Sequence, residues 1–268
     1  FEKYLSTFPD GAYVLNAKFY SGDCYYQKRE YDKALKQFSY VIEKPKNIYT
    51  EQALLGSARI AVSMKDYAKT VDYYSQLLKV SSSMSNIKEA KQGIMRANFA
   101  LNNYSEALDA CNNYLKLSGL SNEHIREAQF IKAKSLQNLE RIPLALEAYQ
   151  ELANEVLSVQ GAEAKFRVAE ILFNQGKIDD AEKTILDFSN KSTSHEYWIA
   201  RSFILWSDIF ASRDNNFQAI ETLQSIIDYY ENMTDGILEM AKAKKKQFEE
   251  KSELKDAPKE AVEINIEK

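Results

Sequence analysis

The residues able to do chemistry are few, and their spacing does not bring them together. His124 and His195 are the only two histidines, and each sits near the start of a helical segment. Neither belongs to a paired-His zinc motif, and the chain has no nucleophile elbow and no Gly-rich loop that could cradle phosphate. Cys24 and Cys111 lie far apart without the partner spacing of a zinc site, and their usage does not set the redox compartment. Carboxylates are plentiful, but they fall on helix faces where solvation is their ordinary role. The expectation is a chain with no catalytic residue, no metal site and no cofactor, hence not an enzyme.

Charge and aromatic clusters offer binding chemistry instead. Charged residues make up 28% of the chain yet nearly cancel to a formal −4, which argues against the basic face a nucleic-acid binder needs. The densest basic cluster is Lys242, Lys244, Lys245 and Lys246. It could attract acidic lipid or nucleic acid, but Glu249 and Glu250 follow at once, and a solvated helix of mixed charge is the simpler reading. Trp198 and Trp206 are eight residues apart and share about one helix face, which suits core packing better than a sugar-stacking platform. No stretch reaches the roughly 20 apolar residues that span a bilayer. The chain opens on Phe1 rather than Met and reads as a cut end.

The elements that position these residues repeat. Four Pro and eight Gly against 17 Tyr and 13 Phe favour long packed helices over a turn-rich β architecture. Segments such as Asp66-Tyr67-Ala68-Lys69-Thr70 and Asn103-Tyr104-Ser105-Glu106-Ala107 recur with small anchors at Ala34, Thr70, Ala107, Ala145, Ala181 and Ala219. The intervals between anchors are 36, 37, 38, 36 and 38 residues. Seventeen residues before each anchor stands another small residue: Ala17, Ala53, Ala90, Ala128, Ala164 and Ser202. Four residues after it stands a larger core residue: Phe38, Tyr74, Cys111, Tyr149, Ile185 and Leu223. Small residues recurring in register let two helix backbones approach closely, so each period predicts a helix pair.

This pattern resembles the tetratricopeptide repeat, most fully in Gly22, Tyr25, Tyr31 and Ala34 and in Ala169, Leu172, Gly176, Ile178 and Ala181. Met95, Asn98 and Lys132 depart from it, so the third and fourth repeats are expected one residue out of register. In the sixth, Ala219 follows Phe217 by two residues rather than three, which predicts a turn one residue shorter. The resemblance implies an all-α, right-handed superhelical solenoid of about six helix pairs with a concave side. Residues 1–11 read as the second helix of a truncated preceding repeat, 12–232 as the six repeats, 233–251 as a capping helix and 252–268 as a disordered tail. Ile237, Leu238, Met240, Ala241 and Phe248 are the residues expected to cover the last repeat.

The resemblance also implies where a partner lies, against the first helices of successive pairs. Eleven residues before the anchors come Asp23, Arg59, Arg96, Lys134, Glu170 and Asp208, a row with a basic centre and acidic ends. Eight before come Tyr26, Val62, Phe99, Gln137, Phe173 and Ala211, and fifteen before come Phe19, Leu55, Gln92, Phe130, Phe166 and Ile204. Arg59, Arg96, Lys134, Tyr26, Phe99 and Phe173 are therefore the candidate partner-binding residues. Such a trough suits a peptide or helix bearing one or two carboxylates. The same rows read equally well as inter-repeat packing and solvated surface. The Lys and Asn pairs of chaperone-binding tetratricopeptide domains are missing, so chaperone-tail recognition is not expected.

The segment Phe8-Pro9-Asp10-Gly11-Ala12-Tyr13, followed by Ala17-Lys18-Phe19-Tyr20-Ser21-Gly22, resembles repeats of bacterial envelope proteins, namely the Tol–Pal periplasmic coordinator and outer-membrane assembly lipoproteins. The sixth repeat, from Phe217 to Asp228, is similar to large repeat proteins of Bacteroidetes. These likenesses imply a periplasmic or outer-membrane-associated, noncatalytic scaffold that binds a protein or peptide. A glycan- or nutrient-capture component and a cytoplasmic peptide-sensing regulator are the alternatives. The former lacks its usual non-repeat domain in this chain, and the latter its effector domain.

Overall fold

The computed structural model describes residues 1–191 and 193–256. Among these residues there are fourteen helices and no strand. They are α1 (Glu2–Thr7), α2 (Val14–Gln27), α3 (Tyr31–Ile42), α4 (Thr50–Ser63), α5 (Tyr67–Val80), α6 (Met84–Ala100) and α7 (Tyr104–Leu115). Then follow α8 (Asn122–Asn138), α9 (Ile142–Leu152), α10 (Val159–Asn174), α11 (Ile178–Ser189), α12 (Glu196–Ser212), α13 (Asn216–Tyr229) and α14 (Ile237–Asp256). The chain divides into two compact units, residues 1–145 and residues from 146 onward, with α9 straddling the division in sequence.

In the first unit α2, α4 and α6 each pair with the helix that follows, and each second helix packs on the next first helix. The second unit repeats the plan with α10·α11 and α12·α13, and α14 packs on both α12 and α13. The resulting architecture is an all-α stack of hairpins. No hairpin closes a core alone; its apolar face is completed by its neighbour.

The register explains why. All six anchors are buried, as are the small residues seventeen before and the larger ones four after. Volume is exchanged across the seam. The Phe38 ring lies so close to Gly22 of α2 and Gly56 of α4 that a Cβ at either would fall within 2.8 Å of it. Tyr74 meets Gly93 of α6 more closely still, at 2.2 Å from an added Cβ. Where the large residue shrinks to Cys111, the facing slot grows to Ile131, and both stay buried in one cluster. Near-crystalline interiors require this complementarity, because a void or an overlap of one methylene is felt.

The turns inside the hairpins hold register through the backbone. Five residues before each anchor the chain adopts positive φ, at Arg29, Lys65, Asn102, Glu140, Gly176 and Asp214. The next amide donates back across the turn, Glu30 to Tyr25, Asp66 to Ala61, Asn103 to Asn98, Arg141 to Leu136, Lys177 to Leu172 and Asn215 to Phe210. This is the Schellman stop, which satisfies carbonyls left over at a helix end.

Two expectations are corrected here. The sixth turn is not shorter: Asp214 and Asn215 hold the same offsets as in the other repeats, and Phe217 is displaced to a 74% exposed position outside the pattern. The third and fourth repeats are not out of register either. Met95 fills the small-residue slot itself and is buried, and Ala133, not Lys132, takes that slot in the next repeat.

At the chain's start the Phe1 ring stacks 6.0 Å from Tyr20, and the Tyr25 hydroxyl donates to Glu2, so α1 lies on α2. At the other end Ile237, Ala241 and Phe248 pack with Ala219, Leu223 and Ile226. The helix α14 continues to Asp256, past residue 252 where a tail was expected to begin; residues 257–268 of that expected tail lie outside the described residues.

Candidate functional site

The row expected to carry a basic centre is braced by carboxylates of the following repeat. Arg59 on α4 donates through Nε and Nη2 to the two oxygens of Glu89 on α6, both at 2.7 Å. Arg96 on α6 donates in the same way to Glu127 on α8, at 2.6 and 2.7 Å. Tyr74 and Gln92 complete these carboxylates: the Tyr74 hydroxyl donates to Glu89 at 3.1 Å and Gln92 Nε2 to Glu127 at 2.8 Å. The hydrogen bonds from Arg59, against the opposing effect of burial, hold Glu89 below the ordinary carboxylate range. Burial pushes Glu127 upward, but the bonds from Arg96 and Gln92 outweigh it and leave the group lowered. Tyr74, desolvated and facing Glu89, is raised and stays protonated.

Both glutamates stand eighteen residues before their own anchors and thirty or so after their arginines, a spacing legible in the sequence. Considering one residue per repeat hid it. The expected cationic centre is thus two compensated pairs, and the geometry changes what it can do. A guanidinium bound through Nε and one Nη hydrogen keeps three N–H donors in a fixed plane. Neutral acceptors such as peptide carbonyls can take them without displacing a glutamate.

A cavity of about 710 Å³ lies along these pairs in the first unit, its lining including Tyr26, Arg59, Val62, Tyr74, Gln92 and Arg96. Tyr26 leans on Tyr31 with centroids 6.4 Å apart. Of the candidate residues, Tyr26, Arg59 and Arg96 are therefore brought together. Lys134 is elsewhere on α8, its ammonium 5.0 Å from the Phe130 ring. Phe99 is half-buried edge-on to Tyr104 and packs on the Met95 and Cys111 cluster, which is inter-repeat packing. Phe173, half-buried on α10, belongs to the second unit.

In the second unit a cavity of about 440 Å³ is lined by Phe166, Glu170, Arg201, Asp208, Met240 and Lys244 among others. Here Lys244 of α14 closes on Asp208 of α12 at 2.5 Å, and Arg167 donates to Glu170 at 2.7 Å.

The remaining candidates are structural. His195 Nε2 lies 3.1 Å from the Leu157 carbonyl and its backbone precedes α12, while His124 stands in the first turn of α8. Trp198 packs 5.6 Å from Phe166; Trp206 stacks 5.4 Å from Phe210 and donates to Glu182 at 3.0 Å. Cys24 is exposed and Cys111 buried, with burial pushing the Cys111 thiol up to about 12. In the basic cluster, Lys244, Lys245 and Lys246 are bridged to Asp208, Glu249 and Glu250. No group of His, Cys, Asp or Glu able to hold a metal occurs among the described residues, and none of their helices is long and apolar enough to cross a membrane.

Comparison with known proteins agrees with the fold. The tetratricopeptide repeat family profile matches residues 132–187. The crystal structure of YrrB, described as a TPR protein with an unusual peptide-binding site, superposes with a TM-score of 0.53 at 23% identity, covering 78% of this chain and 97% of that one. MamA gives 0.51 at 14% identity, over 84% and 100% of the two chains, and pilF of Pseudomonas aeruginosa gives 0.51 at 13%, over 86% and 97%. No curated protein sequence matches the chain.

Proposed function

From the premise that the chain is built of tetratricopeptide repeats, we propose that it is a noncatalytic scaffold that holds a peptide or helix of a partner protein. The docking place is the first unit's cavity, and the observation that carries the reading is its pair of braced guanidinium groups. Arg59 and Arg96 are locked by Glu89 and Glu127 before any ligand arrives, so their ordering entropy is already spent. Tyr26 and Val62 supply apolar contact beside them. A partner segment would set its main-chain carbonyls on the free N–H donors and its side chains on the apolar floor. Lys134, Phe99 and Phe173 are not among the residues lining this cavity. YrrB offers a precedent for a peptide-binding site on this fold.

The test is to pan a phage-displayed decapeptide library against the immobilised chain. Enriched peptides should lose at least tenfold in affinity for a Tyr26→Ala/Arg59→Gln/Arg96→Gln variant that melts within a few degrees of the parent. Enrichment that the variant retains would place the binding elsewhere.

The envelope setting rests on the likeness of residues 8–25 and of the sixth repeat to bacterial envelope proteins. It is checked by fractionating the source cells: the native protein should partition with periplasm or outer membrane, and recovery in the cytosol alone would refute it.

A further inference from the structure

The register of charges contains a rung that does not close. In the first unit two residues eleven before an anchor are arginines that meet a carboxylate eighteen before the next anchor: Arg59 with Glu89, Arg96 with Glu127. In the second unit the polarity is reversed. Asp208 of α12 supplies the acid and Lys244 of α14 the cation. By the same rule Glu170, eleven before Ala181, would meet Arg201, eighteen before Ala219. It does not. Glu170 is taken by Arg167 of its own helix at 2.7 Å.

Arg201 is left with its guanidinium face on the Phe166 ring, 4.9 Å from the centroid, and one Nη hydrogen directed to the Met240 sulfur at 3.9 Å. A thioether is a weak acceptor, and a ring face satisfies none of the five N–H donors. Among the described residues no carboxylate bridges to Arg201. It is half-buried and lines the 440 Å³ cavity with apolar Ile204, Leu205 and Met240. Asp208 is bridged to Lys244, and Arg167 to both Glu163 and Glu170, so of the described charged residues lining the cavity Arg201 is the one without an ion-pair partner.

We propose that Arg201 is the anchor for an acidic side chain, Asp or Glu, of a bound peptide, with Ile204, Leu205 and Met240 receiving an apolar neighbour of that residue. The planar fork, oriented by Phe166, suits bidentate recognition of a carboxylate. The assignment rests on the peptide-scaffold reading and adds to it a preference that the compensated arginines of the first unit do not supply.

Three synthetic decapeptide pools test it by fluorescence anisotropy: a Glu-centred and a Gln-centred pool, both acetylated and amidated, and a Gln-centred pool with a free C-terminal carboxylate. The parent chain should bind the Glu-centred pool about tenfold tighter than the amidated Gln-centred one. That ratio should fall to about one in Arg201→Gln and stay intermediate in Arg201→Lys. Equal binding of the two amidated pools by the parent would remove Arg201 as anchor and leave the scaffold standing, as would a ratio unmoved by Arg201→Gln. A preference for the free carboxylate pool over the Glu-centred one would overturn the side-chain assignment in favour of a chain terminus. If no pool binds at all, the peptide-scaffold reading fails with it.

Discussion

The two units use the same helical register to arrange charge in opposite senses. In the first, each arginine reaches forward to a glutamate of the next repeat; in the second, Asp208 reaches forward to a lysine, and the Glu170 rung stays open. The buried positions show no such reversal: apart from Thr70 in the first unit the anchors are Ala, and those of both units are buried. Folding is therefore set by the small residues and what they face, while the charge row can change polarity without disturbing the stack. That separation is what a repeat scaffold needs in order to vary its ligand. It also assigns magnitudes. Pairs this exposed contribute about 1 kcal/mol or less, whereas core volume is worth several times that.

The largest expected effect lies in the core. Gly93→Ala puts a methyl 2.2 Å from the Tyr74 ring, which the second helix of the pair cannot yield without breaking its own packing. Overpacking of this kind costs about 1–3 kcal/mol, read as a lowered urea midpoint of the far-ultraviolet circular dichroism. The second unit fills the corresponding slot, fourteen before the anchor, with buried Leu205, so alanine there would leave a void instead of a clash. An unchanged midpoint in Gly93→Ala would mean that the Gly–aromatic seam does not hold the first unit together.

The turns come next. The first unit places side-chain-bearing residues at positive φ in its four turns, whereas the second has Asp214 at one and Gly176, at +74° with open space around its missing Cβ, at the other. Gly176→Ala therefore meets only backbone strain, about 1 kcal/mol. Lys65→Gly relieves the same strain at φ 56° and should gain somewhat less than that, because glycine also loosens the unfolded chain. Amide exchange at Lys177 should quicken in Gly176→Ala, and exchange at Asp66 should slow in Lys65→Gly, since these N–H groups close the two turns. Exchange that moves in neither would show that the positive-φ position does not limit turn stability.

What was legible in the sequence followed tolerance. Ala34, Ala107 and Ala145 could be found because nothing larger fits between the helices, so the period survives wherever volume is limiting. The turn of the sixth repeat was misread because Phe217 was taken as its marker. An aromatic there is an exposed passenger, whereas the feature that holds the turn, positive φ at Asp214, belongs to the backbone and admits Arg, Lys, Asn, Glu and Gly elsewhere. Met95 misled in the opposite sense, since a flexible thioether side chain can occupy a slot usually kept small. The candidate arginines were visible, but their partners were not, because a pair thirty residues apart appears only when two register positions are compared across adjacent repeats. Nothing in the sequence distinguishes Glu170 bonding Arg167 from Glu170 bonding Arg201; competition between two cations for one carboxylate is settled by side-chain geometry.

The smallest effect bears on whether the closed rungs act as charges at all. Glu89 is held below its ordinary value of 4.5 by the Arg59 hydrogen bonds first, burial opposing and Tyr74 assisting. A carboxylate lowered on folding adds stability that is complete above the unfolded value and is lost as pH falls through the folded one. Glu89→Gln keeps an acceptor for Arg59 but removes the charge. The parent should thus exceed the variant in urea midpoint at pH 7, by an amount equivalent to less than about 1 kcal/mol given the half-exposed Arg59, and the gap should close as acid protonates Glu89 in the folded chain. Salt should narrow the gap at pH 7 as well. A gap that survives both acid and salt would mean that the pair is a matter of shape and hydrogen-bond count, and the polarity reversal between the units would then carry no electrostatic meaning.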